Sequence, residues 1–303
     1  MKKIKKASRM TLSFILMFGV VILIGSIFVR FILLNGNYIG DKLEDRDYYS
    51  QLSENLNTKY ATLSLQSSIP EEIFMSAVLE DYEVQKLTRE NVNLMVDYMN
   101  YQTEESAVIM DRTIFSEPVI TYVESFAKEN NIPFDEELQS RTTAVVDSAT
   151  EITENRVTLF NLKNVIGIPQ FQTVRKIVNI AYNSIIPVLI FLLVVIGLLA
   201  LLYRRKRFRI LFWVGSSICA GSIFVIVPSA LALILKLPQR IQISAPYINT
   251  AIQNLTIGYS KYFLSAGLIA LATGVLCLFL YFYMSSYSVE KRSLETTKDT
   301  SLN

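Results

Sequence analysis

Residues 185–235 read IIPVLIFLLVVIGLLALLYRRKRFRILFWVGSSICAGSIFVIVPSALALIL, two long apolar runs joined by a basic turn. The runs cover 185–203 and 210–235, and neither contains a charged residue. A helix rises about 1.5 Å per residue, so roughly 20 apolar residues cross the hydrocarbon core of a bilayer. Buried helices of soluble proteins rarely run this far without a charge. The stretch therefore predicts two transmembrane helices connected as a hairpin.

Two further apolar runs of similar length lie outside this hairpin, at 11–34 and 262–283. The first contains one charged residue, Arg30, near enough to one end for its long side chain to reach the interface. The lysines before it are typical of a signal peptide, but the run exceeds a usual h-region and no small-residue cleavage site follows. We therefore predict a retained anchor and an all-α membrane protein with four transmembrane helices.

Charge predicts the orientation of these helices. The segment 35–184 has 24 acidic and 12 basic residues, a net charge of −12, whereas the turn 204–209 is strongly basic. Because short basic loops stay in the cytoplasm, we expect 35–184 outside a bacterial plasma membrane and both ends, 1–10 and 284–303, in the cytoplasm. The turn residues that set this topology, and that could contact anionic membrane lipid, are Arg204, Arg205, Lys206, Arg207 and Arg209.

The large outer segment is predicted to form a mainly helical domain, because its apolar residues recur every three or four positions. Ser68 followed by Pro70 has the pattern of a helix start, and so does Ser116 followed by Pro118. The residues expected to face inward are Ile73, Phe74, Ala77, Val78, Val92, Met95, Val96, Met99, Val119, Tyr122, Val123, Phe126, Leu138, Thr142, Val145, Ala149 and Ile152.

Four other segments carry weaker local signals. Asp135 predicts a helix N-cap, and the partial alternation over 60–66 is too weak to predict a sheet. The short second outer loop, 236–261, is expected to lie against the large domain or the lipid surface. An amphipathic helix leading into the second span is predicted from Val174, Ile177, Val178 and Ala181.

The residue inventory excludes most enzyme chemistries. The chain has no histidine, which removes Ser-His-Asp and Cys-His nucleophile systems and imidazole metal sites. Cys219 and Cys277 both fall inside predicted spans, where cysteine packs as a small hydrophobe or the two meet across helices. No GxxxxGK or GxGxxG phosphate loop occurs. The acidic clusters at 71–72, 80–83 and 135–137 are interpreted as helix starts and exposed faces, so we predict no catalytic, cofactor or metal site.

The predicted spans contain small residues where transporters usually hold ionisable ones, which disfavours ion-coupled transport. Small residues at four-residue spacing let helices approach closely. Pro228 is the candidate for a functional bend, and Pro187 is a second site where a span could kink. The residues predicted to pack helix against helix are Gly215, Ser217, Gly221, Ala266, Ala270 and Gly274.

This layout resembles that of the FtsX-type four-span proteins, which have a large first outer loop, a small second one and both ends inside. Those proteins carry a longer cytoplasmic linker where this chain has only 204–209, so the resemblance implies the layout and not an ATPase-coupling surface. The sequence favours a non-enzymatic membrane scaffold or regulatory subunit whose outer domain binds an envelope or membrane protein, without nucleic acid. Two alternatives stay open: a component of a transporter, channel or peptide-immunity system, and a sensor of cations or basic peptides.

Overall fold

A computed structural model describes the chain as helices connected by short turns, with no strand in the residues that it describes. Those residues are 2–44, 47–78, 81–105, 110–158, 166–203, 208–243 and 245–300. A π-helical turn over Val29–Leu33 follows α1, and a 3-10 turn over Leu237–Arg240 precedes α11. The α-helices are α1 (Lys2–Phe28), α2 (Gly36–Glu44), α3 (Tyr48–Ser67), α4 (Glu71–Val78), α5 (Asp81–Met99), α6 (Thr113–Glu129), α7 (Glu136–Val157), α8 (Pro169–Asn183), α9 (Ile185–Leu202), α10 (Arg209–Ile234) and α11 (Pro246–Thr300).

Four helical stretches are long and apolar enough to cross a membrane. They are Ala7–Leu33, Ile185–Leu202, Arg209–Ile234 and Pro246–Ser286. The predictions of an all-helical chain and of four such helices are thus confirmed, and the chain has the build of a multi-pass membrane protein.

The fourth apolar helix begins earlier than its apolar run. Helix α11 starts at Pro246, whereas the run predicted as a span starts at 262. Proline suits the first position of a helix because its missing N–H would have no partner there. No proline follows in 247–303 to interrupt the helix. Much of the predicted loop 236–261 is therefore helical.

The chain divides into two compact units. The first, here called the span unit, consists of Met1–Phe31, Ile180–Leu237 and Ile257–Asn303. The second, here called the polar unit, consists of Ile32–Asn179 and Pro238–Thr256.

The span unit is built on α1, which packs against both α9 and α10. Its buried apolar cluster consists of Leu16, Leu192, Val195 and Leu199. Hydroxyl pairs join the helices beside this cluster: Ser26 Oγ lies 2.7 Å from Ser184 Oγ, and Ser13 hydrogen-bonds Ser217. Lipid tails provide no hydrophobic drive for helix association, so close packing and such interhelical hydrogen bonds stabilise a bundle of spans.

The polar unit has an aromatic centre contributed by three helices. The rings of Tyr60, Phe74 and Phe115 are fully buried, and the Tyr60 ring centroid is 5.9 Å from each of the other two. Tyr60 Oη hydrogen-bonds Thr153 Oγ1 on α7. The buried phenol is therefore satisfied, as a polar group removed from water must be.

Two buried tyrosines, Tyr60 and Tyr49, make the stability of the polar unit sensitive to alkaline pH. Burial raises the pKa of Tyr60 to about 12, against a smaller lowering by its hydrogen bond to Thr153. Burial likewise raises the pKa of Tyr49 to about 12. Unfolded tyrosine titrates near pH 10, so between about pH 10 and 12 the unfolded chain loses these protons first and folding weakens.

We expect the free energy of unfolding of the polar unit to fall between pH 9 and 11, by about 1.4 kcal/mol for each such tyrosine. Below pH 9 these tyrosines are protonated in both the folded and the unfolded chain, so they should not make the free energy of unfolding depend on pH. Thermal unfolding of the micelle-solubilised chain, followed by far-UV circular dichroism, measures this. Tyr60→Phe should remove its share of the pH dependence, and an unchanged slope in that variant would contradict the assignment.

The chain between the third and fourth apolar helices contributes to the polar unit. Tyr247 is buried, and its ring centroid lies 6.3 Å from that of Tyr48 on α3. Thr250 Oγ1 donates a hydrogen bond of 2.8 Å to Gln51 Oε1. The segment expected to lie against the large domain or the lipid thus packs on α3.

Several local predictions for the polar unit differ from the structure. Ser68 closes α3, with φ of 59° and its N–H bonded to the carbonyl of Ser64, and does not cap α4. Helix α6 begins at Thr113, so Pro118 lies inside it. Residues 60–66, where no sheet is predicted, belong to α3. By contrast, Asp135 caps α7 as predicted, accepting a bond of 2.9 Å from the N–H of Leu138.

Candidate functional site

A groove with a volume of about 670 Å³ runs along the polar unit between α4 and α6. Pro118 lies in its wall; because proline has no N–H, the carbonyl of Ile114 lacks its usual helical partner there. The apolar residues that line the groove are Ile73, Ala77, Ile114, Pro118 and Tyr122. Protein recognition sites of this kind combine apolar area with a few polar groups at the edge.

An aromatic pair, with one half-buried ring and one exposed ring, extends the apolar surface along α6. The rings of Tyr122 and Phe126 are stacked with their centroids 6.3 Å apart. Phe126 is 49% exposed, although its spacing predicts an inward position. The buried residues of α6 are Phe115, Val119, Val123 and Ala127, at strict four-residue spacing, so the inward positions predicted for Val119 and Val123 are confirmed. Exposed aromatic surface next to a groove is typical of interaction sites.

Besides the phenol of Tyr122, the polar side chains of the groove are one carboxylate and three aliphatic hydroxyls. Glu117 lines it and is exposed to solvent, while Thr113, Thr121 and Ser125 supply hydroxyl groups. Among the described residues, no basic side chain lines it. The charge of the groove is therefore negative, which suits an apolar segment that carries positive charge.

A second hollow, of about 560 Å³, is acidic, and three of its four carboxylates already have partners. Asp147 forms a salt bridge with Arg112, and Glu154 Oε1 accepts a bond of 3.0 Å from the N–H of Met110. Hydrogen bonds from Thr113 lower the pKa of the Asp111 carboxyl. Within the described ranges, no group of three or more Cys, Asp or Glu side chains is arranged to hold a metal ion.

The predicted basic turn is only partly covered by the structure. Arg209 is exposed in the first turn of α10. The other four residues, Arg204, Arg205, Lys206 and Arg207, lie outside the described residues. At the end of α9, Arg9 Nη2 donates to the carbonyl of Leu202 and its guanidinium stacks on the Tyr203 ring at 4.1 Å.

Two of the predicted packing residues meet each other across α10 and α11. A Cβ atom placed on Gly274 would lie 2.9 Å from Cys219 N and 3.0 Å from Gly215 O. A Cβ atom placed on Gly215 would lie 3.0 Å from Cys277 Cβ. These distances are shorter than ordinary carbon contacts, so both positions require glycine. The two cysteines thus border the same helix contact, and both are free thiols.

The remaining packing candidates lie at separate contacts. Ser217 donates to the carbonyl of Ser13 on α1, and a Cβ atom on Gly221 would lie 3.0 Å from the carbonyl oxygen of Met17. Ala266 and Ala270 are half-buried on α11. Pro228 is exposed inside α10, which continues to Ile234.

Sequence reasoning missed Gly267, another buried glycine of α11. A Cβ atom placed there would lie 2.6 Å from Ile226 Cγ1 on α10. Gly267 and Gly274 stand seven residues apart, the repeat of a helix-packing seam, and that spacing was the available signal.

No protein-family model matches this chain, and no curated protein or solved structure matches it either. Function therefore has to be inferred from the surfaces described above.

Proposed function

We propose that this chain is a non-enzymatic membrane scaffold or regulatory subunit whose polar unit binds a membrane or envelope protein. The observation that carries the proposal is the groove between α4 and α6, with the exposed ring of Phe126 stacked on Tyr122 in its lining. Exposed aromatic surface that continues an apolar groove is typical of binding sites.

The proposed topology places both ends in the cytoplasm of a plasma membrane and the polar unit outside. Its support is the charge distribution: the turn 204–209 is basic, whereas 35–184 carries −12. Lys and Arg in short loops remain on the cytoplasmic side during insertion. The groove would then face the envelope.

The occupant that fits the groove is a basic amphipathic segment of a protein partner. Its apolar side would pack between Ala77 and Pro118, and its positive charge would pair with Glu117 at the edge. The negative charge of the whole segment would also speed its approach, because complementary charge steers association. The transport alternative gains no feature of its own from the described residues, and a sensor of basic peptides would use this same groove.

The test compares two identical substitutions on the polar unit. Thr121 is exposed within the groove, and Thr143 is exposed on α7 away from it. Both Thr→Arg variants should fold equally well, because both residues lie on helix surfaces. Thr121→Arg would place a cation where the occupant's own charge sits and should lower partner capture severalfold, whereas Thr143→Arg should leave it unchanged.

Capture is measured by crosslinking on intact cells, gentle solubilisation and affinity purification of the full-length chain. A specific protein that is recovered with the parent and with Thr143→Arg, but not with Thr121→Arg, would support the groove as its site. Equal recovery with all three chains would rule out the groove. Recovery of no specific protein by the parent chain would count against the scaffold function itself.

A further inference from the structure

One face of helix α8 exposes three large apolar side chains. Val174 is 49% exposed, Ile177 is 60% exposed and Ile180 is 70% exposed. These residues stand three positions apart, so they share one face of the helix. In water, such a stripe of large aliphatic side chains is unfavourable.

The opposite side of α8 is held inward by a buried arginine. Arg175 is 3% exposed, and its guanidinium lies 3.8 Å from the ring centroids of both Tyr98 and Tyr101. Its Nε donates a bond of 2.8 Å to the carbonyl of Tyr98. Next to it, Gln172 Nε2 donates to Tyr98 Oη at 3.1 Å. The hydrogen bond and the two cation–π contacts fix the rotation of the helix about its axis.

This rotation is the reverse of what a soluble helix adopts. A surface helix of a globular protein buries its apolar stripe and exposes its cations. In α8 the cation Arg175 is buried, while Ile177 is exposed. Burial of a charge costs free energy unless the charge is well paired, so the inward position of Arg175 depends on its contacts with Tyr98 and Tyr101.

The chain around α8 indicates what covers the stripe. Only Ser184 separates α8 from α9, which is one of the apolar helices long enough to cross a membrane. Its 18 residues span about 27 Å, close to the roughly 30 Å of a hydrocarbon core, so the residues next to it in the chain fall at the membrane boundary. After Glu154 the next acidic residue in the sequence is Glu290, and the one carboxylate recorded against α8, that of Glu104, lies 3.7 Å from the cation of Arg175.

We infer that α8 is an interfacial membrane helix, with Val174 and Ile177 in the boundary between lipid headgroups and acyl chains. Amphipathic helices bind at this depth when one face is apolar and the other is polar. Here the polar face is occupied by the Tyr98–Arg175–Tyr101 stack, which leaves the apolar face of α8 to meet the lipid. This inference does not depend on the identity of a protein partner.

The test uses the full chain in lipid nanodiscs, with both native cysteines replaced by alanine and one nitroxide label at Ile177→Cys. Collision of the label with oxygen, which partitions into lipid, is compared with collision with a water-soluble nickel chelate. We expect the ratio of oxygen to nickel collisions to be severalfold higher at Ile177→Cys than at Thr143→Cys. Thr143 is an exposed position on α7 and serves as the aqueous reference.

Two results would overturn the inference. Nickel access at Ile177→Cys equal to that at Thr143→Cys would place the helix in water. Low collision with both reagents would mean that protein covers the stripe. If Ile177→Cys changes the far-UV spectrum, Val174→Cys on the same face is measured in its place, with the same two outcomes.

Discussion

Replacing Phe115 by alanine is expected to destabilise the polar unit by about 3–5 kcal/mol, the usual effect of removing a buried phenylalanine ring. The side chain of Phe115 is 0% exposed and packs edge-to-face on Tyr60. Tyr60 in turn stacks on Phe74, so the truncation opens a cavity at the meeting point of α3, α4 and α6. An effect of this size is comparable to the whole stability of many domains.

The matched control lies on the same helix. Phe126 is 49% exposed, so Phe126→Ala removes a ring that is already half in water and should cost about 1 kcal/mol or less. Thermal unfolding of the full chain in micelles, followed by far-UV circular dichroism, measures both variants. Equal destabilisation by the two would refute the burial assigned to α6.

A second signal shows which unit is affected. The single tryptophan of the chain, Trp213, lies on α10 in the span unit. Its emission reports on the helices around it and not on the aromatic centre of the polar unit. We expect Phe115→Ala to leave Trp213 emission unchanged below the unfolding temperature.

The span helices were the part of the fold that sequence could predict. Their signal is length without charge, and in a bilayer that property alone requires a helix because every backbone polar group must be satisfied internally. Helix α9, at Ile185–Leu202, nearly coincides with its apolar run at 185–203. The early start of α11 at Pro246 was not predicted, because its first turns carry polar residues and belong to the polar unit.

The orientation of helix faces in the polar unit was harder to predict. On α7, Thr142, Thr150 and Thr153 are buried, whereas the more hydrophobic Val145 and Ile152 are only half-buried. Each of these threonines donates its hydroxyl to the carbonyl four residues earlier, so burial leaves no group unsatisfied. Hydrophobicity alone ranks these positions in the wrong order.

The same limit applies to the candidate site. The periodicity of α8 predicted an apolar stripe that included Val174 and Ile177, but a stripe does not reveal whether protein or lipid covers it. The groove depends on Ala77 and Pro118, which come together only through the packing of α4 on α6. The contact between α4 and α6 joins residues far apart in the sequence, so no local sequence pattern predicts the groove.

Replacing Gly274 by leucine is expected to destabilise the span unit by about 3 kcal/mol, at the upper end of the usual range for overpacking. The first atom of the new side chain would already lie 2.6 Å from Cys219 Sγ and 2.9 Å from Cys219 N. Because the obstacle includes backbone, a change of rotamer cannot relieve it, and α10 and α11 must separate.

Gly197→Leu on α9 is the matched control, because it makes the same change in another apolar helix. Gly197 is exposed, and a Cβ atom there meets nothing within 4 Å, so the added side chain extends outward at little cost. Titration with a denaturing detergent, read by Trp213 emission, measures both variants. If Gly197→Leu unfolds as early as Gly274→Leu, added volume alone is harmful and the contact has no special role. If only Gly274→Leu unfolds early, close approach of α10 and α11 is what stabilises the span unit, as expected where helices gain no hydrophobic drive from the surrounding lipid.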